Sequence, residues 1–286
     1  MRTFLLASAA LVGFAANSLL CRLALAPRSI DASSFTLVRL ASGALMLAIL
    51  VRLARQEGPR TVAGSWAGAA ALFAYAAGFS FAYLRLGAGT GALVLFGAVQ
   101  LTMLGWGIFR GERPGPLVFV GTLMALAGLV VLTFPGLSAP DPLGAALMAG
   151  AGVSWGVYSL RGRGGKNPLA TTAGNFARSV PMAAALSLAA LAAAAPHASP
   201  RGVALAVASG ALASGVGYSL WYAALRDLTA TRAAVAQLVV PVLAAFGGVL
   251  LLGERFTGRL IGAGTLILAG VALALLRRSA TGKRSA

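Results

Sequence analysis

Two arginines, Arg39 and Arg178, stand inside otherwise apolar stretches, each about two helical turns from where its stretch begins. A guanidinium carries five N–H donors and a permanent charge. Holding it in hydrocarbon costs about 2.5–3.5 kcal/mol on insertion scales. Either the side chain snorkels to the interface, or it faces an interior where its planar fork can receive a carboxylate. Aromatic residues recur at helical spacing in other stretches. Tyr75, Phe79 and Tyr83 fall every fourth residue on one helix face. Tyr218, Trp221 and Tyr222 share a second face, and Trp155 and Tyr158 belong to a third segment. Such rings suit an apolar or aromatic side chain, or a cation held over a ring face; equally, they fill gaps between helices. Asn17, Gln100, Asn175 and Gln237 are polar residues in apolar surroundings. Each must face protein or water, either as an interhelical hydrogen bond or as a ligand for the polar end of a substrate. The candidate substrate-binding set is therefore Asn17, Arg39, Tyr75, Phe79, Tyr83, Gln100, Trp155, Tyr158, Asn175, Arg178, Tyr218 and Trp221. Pro241 is a candidate hinge, because a proline within a helix frees a backbone carbonyl and kinks the chain.

Other chemistries find no support. One cysteine, Cys21, and one histidine, His197, cannot make an internal disulfide or a metal site of ordinary ligand number. No cofactor is expected. An intramembrane protease would need paired aspartates, a Ser/His pair or a metal motif, so the chain reads as no enzyme. A channel would call for a filter-like loop or charged rings. The six carboxylates, Asp31, Glu57, Glu112, Asp141, Asp227 and Glu254, fall at segment ends or in loops. Proton-coupled carriers bury an acid along the translocation path. The expectation here is facilitated diffusion or exchange.

The segments that position these residues are membrane helices. The 286 residues are 59% hydrophobic and 10% charged, with mean hydropathy +0.87, against about 25% charged in soluble domains. Apolar segments of the length a bilayer requires run over 3–25, 33–54, 62–85, 88–109, 115–134, 143–160, 169–194, 202–224, 231–252 and 258–276. Pro59, Pro114, Pro142, Pro168 and Pro200 sit where helices should start, since a missing N–H costs little there. Met1 to Leu25 reads as the first membrane helix rather than a cleaved leader. Small-residue faces, Gly210/Ser214/Gly217, Gly87/Gly91 and Gly121/Ala125/Gly128, predict close helix packing.

Charge sets the orientation. The net charge of +17 comes from 23 Lys and Arg against 6 Asp and Glu. The basic residues flank apolar segments rather than form an aromatic-interleaved patch, so no nucleic-acid partner is expected. With a cytoplasmic N-terminus, only Arg22, Arg28, Arg85, Arg201, Arg255 and Arg259 fall outside, Arg39 and Arg178 lie within segments, and the remainder lie inside. This asymmetry predicts both termini in the cytoplasm and an even helix count.

The halves resemble each other. A shift of 142 residues lays Gly111-Glu112-Arg113 on Gly253-Glu254-Arg255 and Leu126-Ala127-Gly128 on Leu268-Ala269-Gly270. It also lays Phe79 on Trp221, and a nearby offset pairs Arg39 with Arg178. Two repeats of five helices must lie in opposite orientations, an arrangement of secondary transporters with the site between the repeats. The expected fold is all-α, with ten transmembrane helices in two inverted five-helix repeats around a central cavity. The repeats cover residues 1–135 and 140–278 of a single transmembrane domain, and a basic cytoplasmic tail covers 279–286.

This duplicated plan, the Gly-Glu-Arg connections, Ser154-Trp155-Gly156-Val157-Tyr158 and Gln237-Leu238-Val239-Val240-Pro241 together resemble the drug/metabolite transporter superfamily in its EamA-like form, and within it YddG-type amino-acid exporters. The resemblance covers nearly the whole chain. It implies a basket of helices with the fifth and tenth peripheral, and export of amino acids, aromatic or otherwise apolar, or similar metabolites by alternating access. Val99 stands where the second half has Pro241, so the halves need not bend equally. The implied setting is a bacterial inner membrane, with a small-molecule substrate and the lipid bilayer as partners; the sequence leaves the oligomeric state open, a monomer included. A nucleotide-sugar or phosphorylated-sugar exchanger is the alternative, and should carry more Lys and Arg in its cavity.

Overall fold

The structure, a computed structural model, describes residues 1–25, 27–54, 63–86, 88–133, 141–162, 167–192, 195–252 and 258–275. Pro59, Glu57, Glu254, Arg255 and the tail at 279–286 lie outside the described residues. The described elements are helices: α1 (Arg2–Leu25), α2 (Ala32–Leu53), α3 (Trp66–Ala82), α4 (Ala88–Phe109), α5 (Pro116–Thr133), α6 (Pro142–Gly162) and α7 (Pro168–Leu191). They continue with α8 (Pro200–Ala208), a π-helical segment (Ser209–Val216), α9 (Gly217–Leu225), α10 (Ala230–Gln237), α11 (Val239–Leu252) and α12 (Gly258–Leu275). Arg2–Leu25, Ala32–Leu53, Pro142–Gly162 and Pro200–Leu225 are long and apolar enough to cross a membrane; several shorter apolar helices accompany them.

The starts follow from capping chemistry. Asp31, Ser65, Asn167, Ser199 and Thr229 each accept a backbone N–H three residues on, satisfying a donor that the first turn leaves unpaired. Pro142, Pro168 and Pro200 occupy first positions. Pro114 does not: the fifth helix begins at Pro116, after a turn in which Gly111 takes φ +85°. Pro181 lies inside α7 without ending it.

Leu5, Leu45, Leu101, Phe109, Leu188 and Leu250 face outward, at 58%, 65%, 79%, 79%, 67% and 76% exposure. In water such a surface would aggregate; in lipid it is the expected exterior. Inside, α2 packs on α7, α3 on α6, and α1 on the run from α8 to α9. Helix α4 packs on α6, and α1 on α11, while α5 and α12 pack chiefly on each other. Glycine permits the closest crossings. A Cβ on Gly210 would stand 2.0 Å from the Arg39 carbonyl oxygen, and one on Gly121 would stand 2.4 Å from that of Gly270.

Both ends of the bundle are fastened. At one, the α1–α2 and α7–α8 connections pair through Asp31 N–H to the His197 carbonyl and Ser199 N–H to the Ser29 carbonyl, 2.8 Å each. At the other, Glu112 accepts the Ala230 N–H at 2.9 Å, and the Thr3 hydroxyl donates to Asp227 at 2.6 Å.

Candidate functional site

Arg39 faces inward from α2, on the stripe Ala32, Thr36, Arg39, Gly43 that repeats at helical spacing, and is 1% exposed. Its Nε donates to the Ser214 hydroxyl at 3.1 Å. Its Nη2 donates to the Tyr218 phenol at 2.7 Å and lies 3.4 Å from that of Tyr75. Its Nη1 is buried and has no hydrogen-bond partner. The guanidinium carbon stands 5.3 Å from the Tyr75 ring centre and 5.7 Å from that of Phe79, close enough for a cation–π attraction.

The π-helical segment brings Ser214 to this position. Gly210 lets its backbone touch α2 at Arg39, and Gly43 returns the approach from the other side. The wider i→i+5 turn is a local distortion that recurs at functional sites.

A ring of aromatic side chains encloses the guanidinium. Trp155 lies 4.6 Å from Tyr218, 5.0 Å from Tyr75 and 5.1 Å from Phe14, centre to centre. Phe14 also meets Tyr218 and Trp221, and Phe176 meets Tyr218. Helices α1, α3, α6, α7 and α9 each contribute, and the rings pack against one another. Trp155 Nε1 donates to Gln237 Oε1 at 2.5 Å. Gln237 ends α10, and Leu238 interrupts the helix there. That is the place a proline four residues on would weaken, because Pro241 cannot donate to the Gln237 carbonyl.

The structure therefore gathers Arg39, Tyr75, Phe79, Trp155, Tyr158, Tyr218 and Trp221 into one buried cluster. Asn17 lies beside it, accepting from the Ser209 hydroxyl. Tyr83, half-buried at the end of α3, stacks edge-on against Phe79 at 4.7 Å. Gln100 is elsewhere, donating to the Ala234 carbonyl at 2.7 Å and so tying α4 to α10. Asn175 and Arg178 are fastened to the α2–α3 connection instead. Asn175 accepts the Ser65 N–H at 2.9 Å, where Gly64 turns with φ +92°. Arg178 Nη1 donates to the Ala63 and Gly174 carbonyls at 2.8 and 3.0 Å.

Ser214, Phe176 and Ser80 were not among the sequence candidates. A Gly210/Ser214 pair at helical spacing was the only signal for the first. The Thr36 and Ser80 hydroxyls, both fully buried, lie 3.0 Å apart one turn from Arg39. Beyond them, at the Asp31 end, a cleft of about 460 Å³ is lined by Ser33, Leu37, Phe81, Leu84, Ser187 and others. Partial burial pushes the Asp31 carboxyl up, but hydrogen bonds from Ser33, Ser34 and the His197 N–H outweigh this and hold it lowered to about 2.

The profile of the EamA-like transporter family matches residues 142–276. The uncharacterized protein PA1977 of Pseudomonas aeruginosa is 55% identical over 282 residues, spanning 97% of this chain and 96% of that one. The chain belongs to the EamA-like transporter family. A solved crystal structure of 27% sequence identity superposes with a TM-score of 0.75 over 95% of this chain and 99% of that one. EamA-like proteins are transporters of the drug/metabolite superfamily. This one is accordingly a multi-pass membrane protein, and its buried cluster belongs to a helical transporter rather than to a soluble scaffold.

Proposed function

We propose that this EamA-like protein is a secondary transporter that exports amino acids, aromatic or otherwise apolar, or similar small carboxylate-bearing metabolites by alternating access. Arg39 is the observation that carries the reading. A charged group held in a bundle of apolar helices, with neutral partners and one nitrogen to spare, is costly unless a substrate uses it. The aromatic cluster supplies the apolar surroundings for the rest of the solute. Asn17, Tyr75, Phe79, Trp155, Tyr158, Tyr218 and Trp221 form its wall, with Tyr83 at its margin, while Gln100, Asn175 and Arg178 hold the surrounding helices and the α2–α3 connection. The ring packing fits an occluded state. The break before Pro241, next to the Trp155–Gln237 bond, is the hinge.

In the proposed topology the run from Pro200 to Leu225 is one crossing, α10 with α11 another, and the total is ten. The repeats are 1–135 and 140–278, inverted, with 279–286 as a cytoplasmic tail. Exchange of packing partners supports this. Under a swap of the halves, α3 on α6 becomes the α8–α9 run on α1, α4 on α6 becomes α11 on α1, and the α2/α7 and α5/α12 pairs map onto themselves. The charge asymmetry supports cytoplasmic termini in a bacterial inner membrane. The described acids sit at helix ends, consistent with exchange or facilitated diffusion.

The test is counterflow in liposomes with labelled amino acids, polyamines and sugar phosphates, for the wild type and for Arg39→Gln and Trp155→Ala. Amino-acid or carboxylate counterflow that both substitutions abolish in folded protein supports the reading. Counterflow confined to sugar phosphates, or unaffected by either change, overturns it.

A further inference from the structure

Among the described residues, the Arg39 site holds a charge that no acid balances. Its three acceptors, Ser214, Tyr75 and Tyr218, are neutral hydroxyls. The acids described are Asp31, Glu112, Asp141 and Asp227, and each is engaged at a helix end. Asp31 binds the Ser33 hydroxyl and the Ser34 and His197 N–H groups. Glu112 binds the Ala230 N–H, Asp141 binds Arg85 and the Gly144 N–H, and Asp227 binds Thr3. The buried Nη1, with its two N–H groups, is the one nitrogen of the guanidinium without a partner.

We infer that this site selects a monocarboxylate with an apolar or aromatic tail over the zwitterionic amino acid of the same shape, on the strength of the unbalanced Arg39 charge and its open Nη1. The inference rests on the transporter reading above and narrows its substrate class.

A carboxylate cancels the guanidinium charge and accepts from Nη1, and such a charge-assisted bond is about twice as strong as a neutral one. An α-ammonium sits on the carbon bearing that carboxylate. It must therefore enter the same cage, close to a like charge, bringing three donors of its own. The acceptors that touch Arg39 are committed, and the Tyr158 hydroxyl, buried without a partner beside Tyr218, offers one neutral acceptor to a group with three donors. Ser214, Tyr75 and Tyr218 already accept from Arg39, and Asn17 Oδ1 accepts from Ser209. The Tyr75 and Phe79 ring faces already lie near the guanidinium. Trp155 Nε1 is a donor, bound to Gln237, and offers an ammonium nothing. A remaining ring face attracts a desolvated cation, but by less than burying an ammonium costs. The monoanion wins. Phe14, Trp155 and Phe176 around Tyr218 then receive the tail.

Three probes of one skeleton decide the matter: 3-phenylpropionate, L-phenylalanine and 2-phenylethylamine. Binding to the full chain in liposomes is read by quenching of tryptophan fluorescence at neutral pH, and movement by counterflow. 3-Phenylpropionate should bind about tenfold or more tighter than phenylalanine, with phenylethylamine weakest, and Arg39→Gln should erase the preference. Equal or tighter binding of phenylalanine overturns the inference. So does a preference that survives in Arg39→Gln, or no binding of any probe. If the variant does not fold, the wild-type ranking alone decides. Phenylalanine counterflow without phenylpropionate counterflow defeats this inference and leaves the transporter reading standing. Absence of counterflow for every solute in the wider panel defeats both.

Discussion

Arg39 and Arg178 are the same residue type, on the two helices, α2 and α7, that pack together, yet their surroundings differ. Arg178 spends Nη1 on two backbone carbonyls and stands beside Asn175, which holds the same connection through Ser65. Carbonyls are fixed by the fold and cannot leave, so this guanidinium fastens a loop. Arg39 is held by hydroxyls on three elements and keeps a donor in reserve. Hydroxyl partners can rotate or yield to a better acceptor. Partner chemistry, rather than burial alone, separates a fastening arginine from one poised for a ligand.

That contrast can be broken most decisively by substitution. Arg39→Gln should lower counterflow about a hundredfold, since a buried charge-assisted pair is worth up to about 3 kcal/mol. Arg178→Gln should leave counterflow per folded molecule within about threefold, its cost appearing as earlier thermal aggregation in detergent. Comparable transport losses would erase the distinction. Gly210→Ala comes next. Its methyl meets the Arg39 carbonyl oxygen at 2.0 Å, and overpacking of this kind costs about 1–3 kcal/mol; it should impair both stability and transport. Gly121→Ala, with its methyl 2.4 Å from the Gly270 oxygen, should lower stability alone, because α5 and α12 lie away from the cluster. Tyr218→Phe, which removes one of the bonds that position Arg39, should weaken carboxylate binding about fivefold.

The smallest effect belongs to the Asp31 end. Its carboxyl is held near 2, below the ordinary 3.8. The stability it lends the paired connections is thus complete above about pH 4 and lost as pH falls toward 2. Asp31→Asn should remove that dependence with little change at neutral pH, because the amide still caps α2 and solvent screens a partly buried carboxylate. Thermal unfolding followed between pH 2 and 5 reads the difference.

Much of this was legible beforehand. Apolar runs bounded by prolines and arginines marked the helices, because bilayer length and capping leave local traces in a chain. The aromatic cluster was legible as faces, since Tyr75 and Phe79 or Tyr218 and Trp221 fall at helical spacing. Which faces converge was not, because that depends on packing between distant segments. Gln100, Asn175 and Arg178 look identical to Arg39 and Asn17 by the rule that a polar residue within a membrane segment needs a partner. Only the tertiary fold reveals that the partners of the first three are backbone groups. The π-helical segment left no trace either, since one extra residue in a turn hardly alters composition. The start of α5 at Pro116 rather than Pro114 is a choice between two equally permissible prolines.

An arginine does not release its proton under any cellular condition. Arg39 therefore stays put as a fixed positive charge while the solute passes. Under the proposed facilitated diffusion, a monoanion leaving the cell without a cation alongside it carries net current. An inside-negative voltage supplies about 2.3 kcal/mol per 100 mV to that outward step. Valinomycin-clamped liposomes should show efflux accelerating as the lumen is made negative; indifference to voltage would mean the solute crosses electrically silent.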